Sequence, residues 1–281
     1  IYILHNFLNM KEMKELYKQG LGEKEAFLLS ELARLDKRLF TADDARNIVG
    51  HSPYLILHRL KKKKWILQLK RGFYAIVPLE IGPKGADSYI IHEFVIASYL
   101  ADPYYIGFWS ALNYHGLSDQ IPATVFVATA VPKPNMVIMN SKYVFIQLKK
   151  DKFFGLDEIE IETRKVNISN KNKTIVDCLE HPEHAGGIDE VARAIYFGHQ
   201  ELDFALIKEY GLKIKNVAVF KRLGYILEAT GLFEKYAATF QDVPLTSGYS
   251  WLDPLGPRQG KHLHKWKLLV NVDINPERWT Y

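Results

Sequence analysis

An α+β fold, with an N-terminal winged helix-turn-helix followed by a larger mixed α+β domain, is predicted by three features of the sequence. Residues 24–78 carry helical periodicity punctuated by turn signals and closed by two strand-forming runs. Residues 88–281 mix strand-like and helical stretches, and positive charge is concentrated in the first of these segments. A length of 281 residues suits two domains, each able to bury a core.

From Glu25 to Leu35, apolar residues recur at Ala26, Leu29, Leu32, Ala33 and Leu35, the spacing of an amphipathic helix. Thr41 reads as the N-cap of a second helix, with Asp43 and Asp44 in the first turn, where the helix dipole favours anions. That helix should bury Ala45, Ile48 and Val49 and end at Gly50. Ser52 is expected to cap a third helix, with Pro53 at its first position, running to about residue 63. Trp65-Ile66-Leu67-Gln68-Leu69 and Phe73-Tyr74-Ala75-Ile76-Val77 then read as strands joined by Lys70-Arg71-Gly72, a short hairpin loop.

Residues 79–87, rich in Gly and Pro, read as a linker, and residues 1–23 as an N-terminal extension to which no function is given. Beyond the linker, a helical pattern spans 88–100, and strands are expected near 124–130, 137–139, 143–148 and 159–163. Helical periodicity resumes from about Lys173, through 192–196 and 217–227. A loop-rich stretch around Gly248 to Gly260 precedes a last strand at 266–270.

The 48% hydrophobic and 25% charged contents are those of an ordinary globular protein. No apolar run approaches a membrane span, and the opening Ile1-Tyr2-Ile3-Leu4 lacks the flanks of a signal peptide. The lone Cys178 cannot form an intramolecular disulfide and suits a reducing compartment, so a cytoplasmic location is expected.

Charge is unevenly placed. Residues 24–78 hold 12 Lys and Arg against 5 Asp and Glu, a net of +7. Residues 79–281 hold 22 against 24, a net of −2, and residues 1–23 are balanced. A compact basic segment of this kind is the footprint of a polyanion partner. On a helical projection, Pro53, Ile56, Leu57 and Leu60 face inward, while Tyr54, Leu55, His58 and Lys62 face outward with Arg59 and Lys61 at the rim. This is the layout of a major-groove helix: Tyr54, Leu55 and His58 near base edges, Arg59, Lys61 and Lys62 toward phosphates, with Ser52 at the helix start also in the DNA-binding set. Leu55 would suit a thymine methyl, and Lys70 and Arg71 would form the wing.

Other chemistry is less well supported. His181 and His184, and His262 and His264, have close imidazole spacing, but polar loops are the better reading, and neither metal nor cofactor is expected. Cys178 lies in an apolar helical pattern with no activating base. The carboxylates Asp157, Glu158, Glu160 and Glu162 alternate with apolar residues as in a half-buried strand; a nuclease could use them with Lys165, but no Glu-x-Lys triplet follows. Phosphate-loop and dinucleotide glycine motifs are absent from the sequence, as is the Gly-Ser…Asp-x-Asp pattern of a nucleotidyltransferase.

With the wing motif Arg71-Gly72-Phe73-Tyr74, four further groups of residues resemble the AbiEi family, the antitoxins of type IV toxin-antitoxin systems. They are Ser110-Ala111-Leu112-Asn113-Tyr114-His115-Gly116-Leu117, Lys173-Thr174-Ile175-Val176-Asp177-Cys178-Leu179, Ala185-Gly186-Gly187-Ile188-Asp189-Glu190, and Arg222-Leu223-Gly224-Tyr225 with Trp266-Lys267. The resemblance runs over roughly residues 24–273 and leaves 1–23 unmatched. It implies a repressor of its own operon, binding duplex operator DNA at inverted repeats. It also implies that the protein counteracts a neighbouring nucleotidyltransferase-like toxin, without requiring a stable complex. In the family that activity belongs to the second domain, where the candidate basic positions are Lys149, Lys150, Lys152, Arg164, Lys165, Lys221 and Arg222. The competing readings are a DNA-targeted enzyme with a degenerate nuclease-like second domain, and a winged-helix scaffold for protein contacts.

Overall fold

The computed structural model describes residues 18–85, 89–162, 164–243 and 245–279, leaving aside the side chains at 83 and 84. Most of the expected N-terminal extension, residues 1–17, and the end of the expected linker, 86–87, lie outside them. The chain is α+β: N-terminal helices are followed by a larger sheet-containing part. It divides into a first unit ending at Ile91, which also takes in Ile138–Asn140, and a second built from His92–Val137 and from Ser141 onward.

The first unit runs α1 (Glu23–Arg34), β1 (Leu39–Thr41), α2 (Ala42–Val49), α3 (Tyr54–Lys62), β2 (Ile66–Lys70) and β3 (Phe73–Ile76). Its three strands form an antiparallel sheet in the order β1-β3-β2, with Leu39 opposite Ala75 and Gln68 opposite Tyr74. The three-residue β1 was not expected, because Leu39-Phe40-Thr41 is too short to show a period; it forms by pairing with β3. Thr41 caps α2 as predicted: its hydroxyl accepts from Asp44 N at 3.0 Å, and the Asp44 carboxylate accepts from Thr41 N at 2.8 Å. Gly50 then takes φ +71°, a left-handed cap that glycine reaches without Cβ strain. Leu28, Leu32, Ala45, Leu57 and Leu60, all nearly or wholly inaccessible, form the unit's core with Ile56 and Phe40. Each such leucine contributes about 1.5–3 kcal/mol relative to exposure. The expected linker is not irregular throughout: Leu79–Ile81 makes a 3-10 turn and Gly82–Gly85 a single helical turn.

The second unit holds α4 (Glu93–Ser98), β4 (Tyr104–Ile106), α5 (Phe108–Tyr114), β5 (Thr124–Thr129), β6 (Met136–Ile138), β7 (Ser141–Gln147), β8 (Leu156–Ile161) and β9 (Arg164–Ser169). There follow α6 (Lys171–Glu180), α7 (Ile188–Gly198), α8 (Phe204–Ile214), α9 (Ala218–Ala229), β10 (Ser250–Trp251), β11 (Lys261–Leu263) and β12 (Leu268–Val270). A six-stranded mixed sheet has the order β6-β7-β5-β4-β9-β8, parallel between β5 and β7 and between β4 and β9. Sequence periodicity located β5 and β7 but missed β4 and β9. Tyr104-Tyr105-Ile106 is buried on both faces, so it has no alternation to read.

Helix α6 is the centre of this unit, packed against α5, α7, α8 and α9. Residues Lys173–Glu180 are all buried, so polar side chains there must find internal partners. Lys173 and Asp177, one turn apart, form an ion pair at 0% and 1% side-chain exposure. The Tyr105 hydroxyl donates to Asp177 Oδ2 at 2.9 Å and lies 3.2 Å from Lys173 Nζ. Cys178, beside them, is fully buried; burial first and the Asp177 carboxylate second push its thiol well up, so it is an inert core residue. At α9, Gly224 lies against the ring of buried Trp266, where any Cβ would overlap it.

Removing one partner of the buried triad leaves an uncompensated charge. Lys173→Met alone should therefore lower unfolding free energy by about 3–5 kcal/mol in urea titration, whereas Lys173→Met with Asp177→Leu should restore most of it. Equal losses in the single and double variants would show that packing, not charge, sets the cost.

Candidate nucleic-acid interface

The outward face of α3 is set by what its inward face buries. Ile56, Leu57 and Leu60 are 6%, 2% and 0% exposed, which turns Tyr54 and Leu55 outward at 59% and 61%. Two large apolar residues side by side on a helix are thus left mostly uncovered by the described residues. Ser52, His58, Arg59, Lys61 and Lys62 are exposed with them, as are Lys70 and Arg71 at the turn between β2 and β3. Gly72 takes φ +77° in that turn, so the reversal is tight.

The start of α3 differs from the expectation. Pro53 already has helical φ and ψ, and its carbonyl accepts from Leu57 N at 2.9 Å, but no side chain caps the helix there. Ser52 therefore sits exposed at the helix start with its hydroxyl uncommitted to a capping bond. At the other end, Lys63 turns away from the outward face and pairs with buried Glu25 of α1 at 2.6 Å. Lys61 Nζ donates to Gln68 Oε1 of β2 at 2.7 Å, tying the helix rim to the hairpin. His58, Lys61, Lys62, Lys64 and Gln68 line a cleft between α3 and β2. Lys24, Ser52, Leu55 and Arg59 line another beside the start of α1.

Electrostatics sharpen this face. Four of the unit's acids are engaged elsewhere: Glu25 with Lys63, Glu31 with Arg34 at 2.7 Å, Asp43 with Arg46 at 2.6 Å, and Asp44 with Lys37. Among the described residues Arg59, Lys61, Lys62 and Arg71 make no ion pair. Much of the net positive charge of 24–78 is thus left on the α3 face and hairpin tip rather than cancelled locally.

The second unit's basic candidates are scattered. Lys149, Lys150 and Lys165 are exposed, with Lys165 paired to Glu158 of the edge strand β8 at 2.6 Å. Lys152 is largely buried against Glu180 at 2.6 Å, and the Arg164 guanidinium stacks 4.4 Å from the Tyr99 ring centroid. Lys221 and Arg222, expected at the surface, are 2% and 5% exposed. The Arg222 guanidinium donates to the carbonyls of Leu179, Glu180, Trp251 and Leu252, joining the end of α6 to β10. Lys221 Nζ donates to Thr246 Oγ1 at 3.2 Å and to the Gly248 carbonyl. Both positions are removed from any surface patch because burial makes them serve backbone carbonyls. Sequence reasoning missed this because cations in a helix otherwise rich in apolar residues read as its solvent side.

Residues 28–77, from within α1 to just beyond β3, match the family described as "Transcriptional regulator, AbiEi antitoxin". Among solved structures, the RV2827C protein from Mycobacterium tuberculosis resembles the chain with a TM-score of 0.62 at 13% identity, over 90% of this chain and 93% of that one. At that identity the likeness is one of fold. No curated protein sequence matches the chain. No described helix is long and apolar enough to cross a membrane.

The ion pairs that clear the α3 face also predict a pH dependence. Burial raises the Glu25 and Asp44 carboxyls, but donors and cations outweigh it: Lys63, Gly22 N and Arg59 for Glu25, Lys37 and Thr41 for Asp44. Both titrate below their ordinary range, so their stabilisation is complete above the unfolded value of about 4 and is lost as pH falls through the lower folded values. Between pH 5 and pH 3 the urea midpoint should fall more steeply for the natural chain than for Glu25→Gln with Asp44→Asn. Parallel curves would contradict these pairs.

Proposed function

We propose, from the AbiEi antitoxin regulator match over residues 28–77, that this chain is a DNA-binding transcriptional repressor and antitoxin acting in the cytoplasm. The first unit works as a winged helix-turn-helix, with α3 as the recognition helix in the major groove and the β2–β3 hairpin as the wing. The observation that carries this reading is the α3 face itself: exposed Tyr54 and Leu55 among cations that the unit's own acids leave unpaired. Phosphate neutralisation supplies affinity, and the N-terminal half of the helix supplies sequence readout.

Each residue has a role in this reading. Ser52, at the helix start, offers a hydroxyl to a phosphate, and Tyr54, Leu55 and His58 meet base edges. Arg59, Lys61 and Lys62 meet phosphates along the groove, and Lys70 and Arg71 reach phosphates beyond it or the adjacent minor groove. The operator is an inverted repeat upstream of the protein's own operon, which encodes a nucleotidyltransferase-like toxin. The second unit carries toxin neutralisation, and of its basic candidates Lys149, Lys150 and Lys165 are the ones a partner could reach.

Electrophoretic mobility shifts across a salt series test the DNA reading. Lys62→Ala should weaken binding on all duplexes alike, and His58→Ala should cost about 1–3 kcal/mol on the operator and less on random DNA. Lys70→Ala with Arg71→Ala should flatten the slope of log affinity against log salt by about 1.8, the worth of two phosphate contacts. An unchanged slope would remove the wing from the interface, and equal operator and random losses for both single variants would refute the assigned face.

Repression and protection should separate. The full chain with Arg59, Lys61 and Lys62 changed to Ala should lose repression of an operator-driven reporter, yet still permit growth when the neighbouring toxin is expressed from an independent promoter. Loss of both activities in that folded variant would mean that protection works through transcription, with no role for the second unit.

A further inference from the structure

The small sheet near the end of the second unit carries a surface that the DNA reading does not use. Strand β12 is flanked by β10, parallel, and β11, antiparallel, so Trp251, Leu269 and His262 stand abreast and project to one face. Leu268 and Leu263, one step along, turn to the other face, where Leu268 is fully buried in the core and Leu263 packs at its edge. Tyr249 immediately precedes β10, and His264 and Lys267 lie in the 264–267 turn that joins β11 to β12, at the end of this face. Their contacts bring them together: the Tyr249 hydroxyl is 2.6 Å from His264 Nδ1, and its ring centroid is 4.9 Å from that of His262. Lys267 Nζ lies 5.8 Å from the Tyr249 centroid and the Arg258 guanidinium 5.6 Å from that of Trp251.

This face has a composition of its own. Residues 246–267 hold four Lys and Arg against one acid, Asp253, inside a domain whose net charge is negative. Asp253 is buried and turned inward, its Oδ2 accepting from Ile188 N at 3.0 Å. Glu228 is occupied by Lys265 and by Trp266 Nε1. Tyr249, just before β10, and Trp251, within it, are half-exposed and two residues apart, hence at most roughly 7 Å along the chain. That spacing is twice the rise of a stacked duplex strand, so it fits two splayed bases and not a closed double helix.

We propose that this sheet face is a binding site for single-stranded nucleic acid, with Tyr249 and Trp251 stacking successive bases and Lys267 and Arg258 holding the backbone. Aromatic platforms ringed by cations bind single strands with little sequence preference, because every base offers a π-face. His262 and His264, read from the sequence as loop residues rather than metal ligands, serve here as further planar and hydrogen-bonding groups beside Tyr249.

The test uses the full chain with Lys61, Lys62, Lys70 and Arg71 changed to Ala, so that binding through the first unit is suppressed. Fluorescein-labelled dT12, rU12 and a 12-base-pair duplex are titrated by anisotropy at low salt. Both single strands should bind more tightly than the duplex, and the better of the two assigns RNA or DNA. Adding Tyr249→Ala should weaken single-strand binding about 5- to 100-fold, while Tyr249→Phe, which keeps the ring, should stay within about threefold. Adding Lys267→Ala, with an unchanged circular dichroism spectrum, should lower the salt slope by about 0.7. The proposal is overturned if the four-alanine chain binds neither single strand, if the duplex binds as well as they do, or if Tyr249→Ala and Lys267→Ala both leave affinity within twofold.

Discussion

Burial of Ile56, Leu57 and Leu60 fixes the rotation of α3 about its axis, and the character of the first unit follows from that rotation. A helix of this length has room for one buried stripe, so committing those three residues to the core forces Tyr54, Leu55, His58 and Lys62 into solvent. The C-terminal end is then held by two polar ties, Lys63 to Glu25 and Lys61 to Gln68, which stop the helix from rolling. Because four of the unit's acids pair with cations off that stripe, the exposed stripe keeps its charge. Packing and electrostatics therefore converge on one surface, each for its own reason.

The second unit is organised differently, around a helix with no solvent face. Helix α6 carries Lys173, Thr174 and Asp177 inside a core, and each is matched: Lys173 with Asp177 and Tyr105, Thr174 with Ser169. The other segments that resemble AbiEi antitoxins are spent in the same way. Ser110 Oγ accepts from Phe126 N, His115 Nε2 meets the Ser169 carbonyl at 2.7 Å, Glu190 accepts from Ser118, and Gly224 admits Trp266. These motifs are the internal polar frame of the unit.

How much the sequence disclosed depended on whether a residue's partner was local. Helices α1 to α3 and the β2–β3 hairpin were legible because their caps, turns and apolar periods lie within a few residues: Thr41 with Asp44, Gly50, Gly72. The inward and outward faces of α3 were legible for the same reason. Strands β1 and β4 were not, since short or doubly buried strands have no alternation and exist through distant pairing, and β9 was passed over although Val166 and Ile168 alternate with Lys165 and Asn167. Lys221 and Arg222 were misread as surface because their partners, Gly248 and the carbonyls of α6 and β10, lie 27 to 43 residues away in sequence. The platform formed by Tyr249, Trp251, His262 and His264 was invisible for the same cause, as only the sheet register brings those rings together.

Cys178 is the chain's only cysteine and is fully buried, which permits a direct test of whether the outward face of α3 meets DNA. A photo-crosslinker placed on the full chain through His58→Cys, with Phe27→Cys on the exposed side of α1 as the comparison, reports which helix lies against the duplex. Crosslinks to bases of the operator from position 58, lost at high salt and absent from position 27, are the predicted result. Crosslinks from position 27 alone, or none from position 58 under conditions where the duplex is bound, would contradict α3 as the recognition helix.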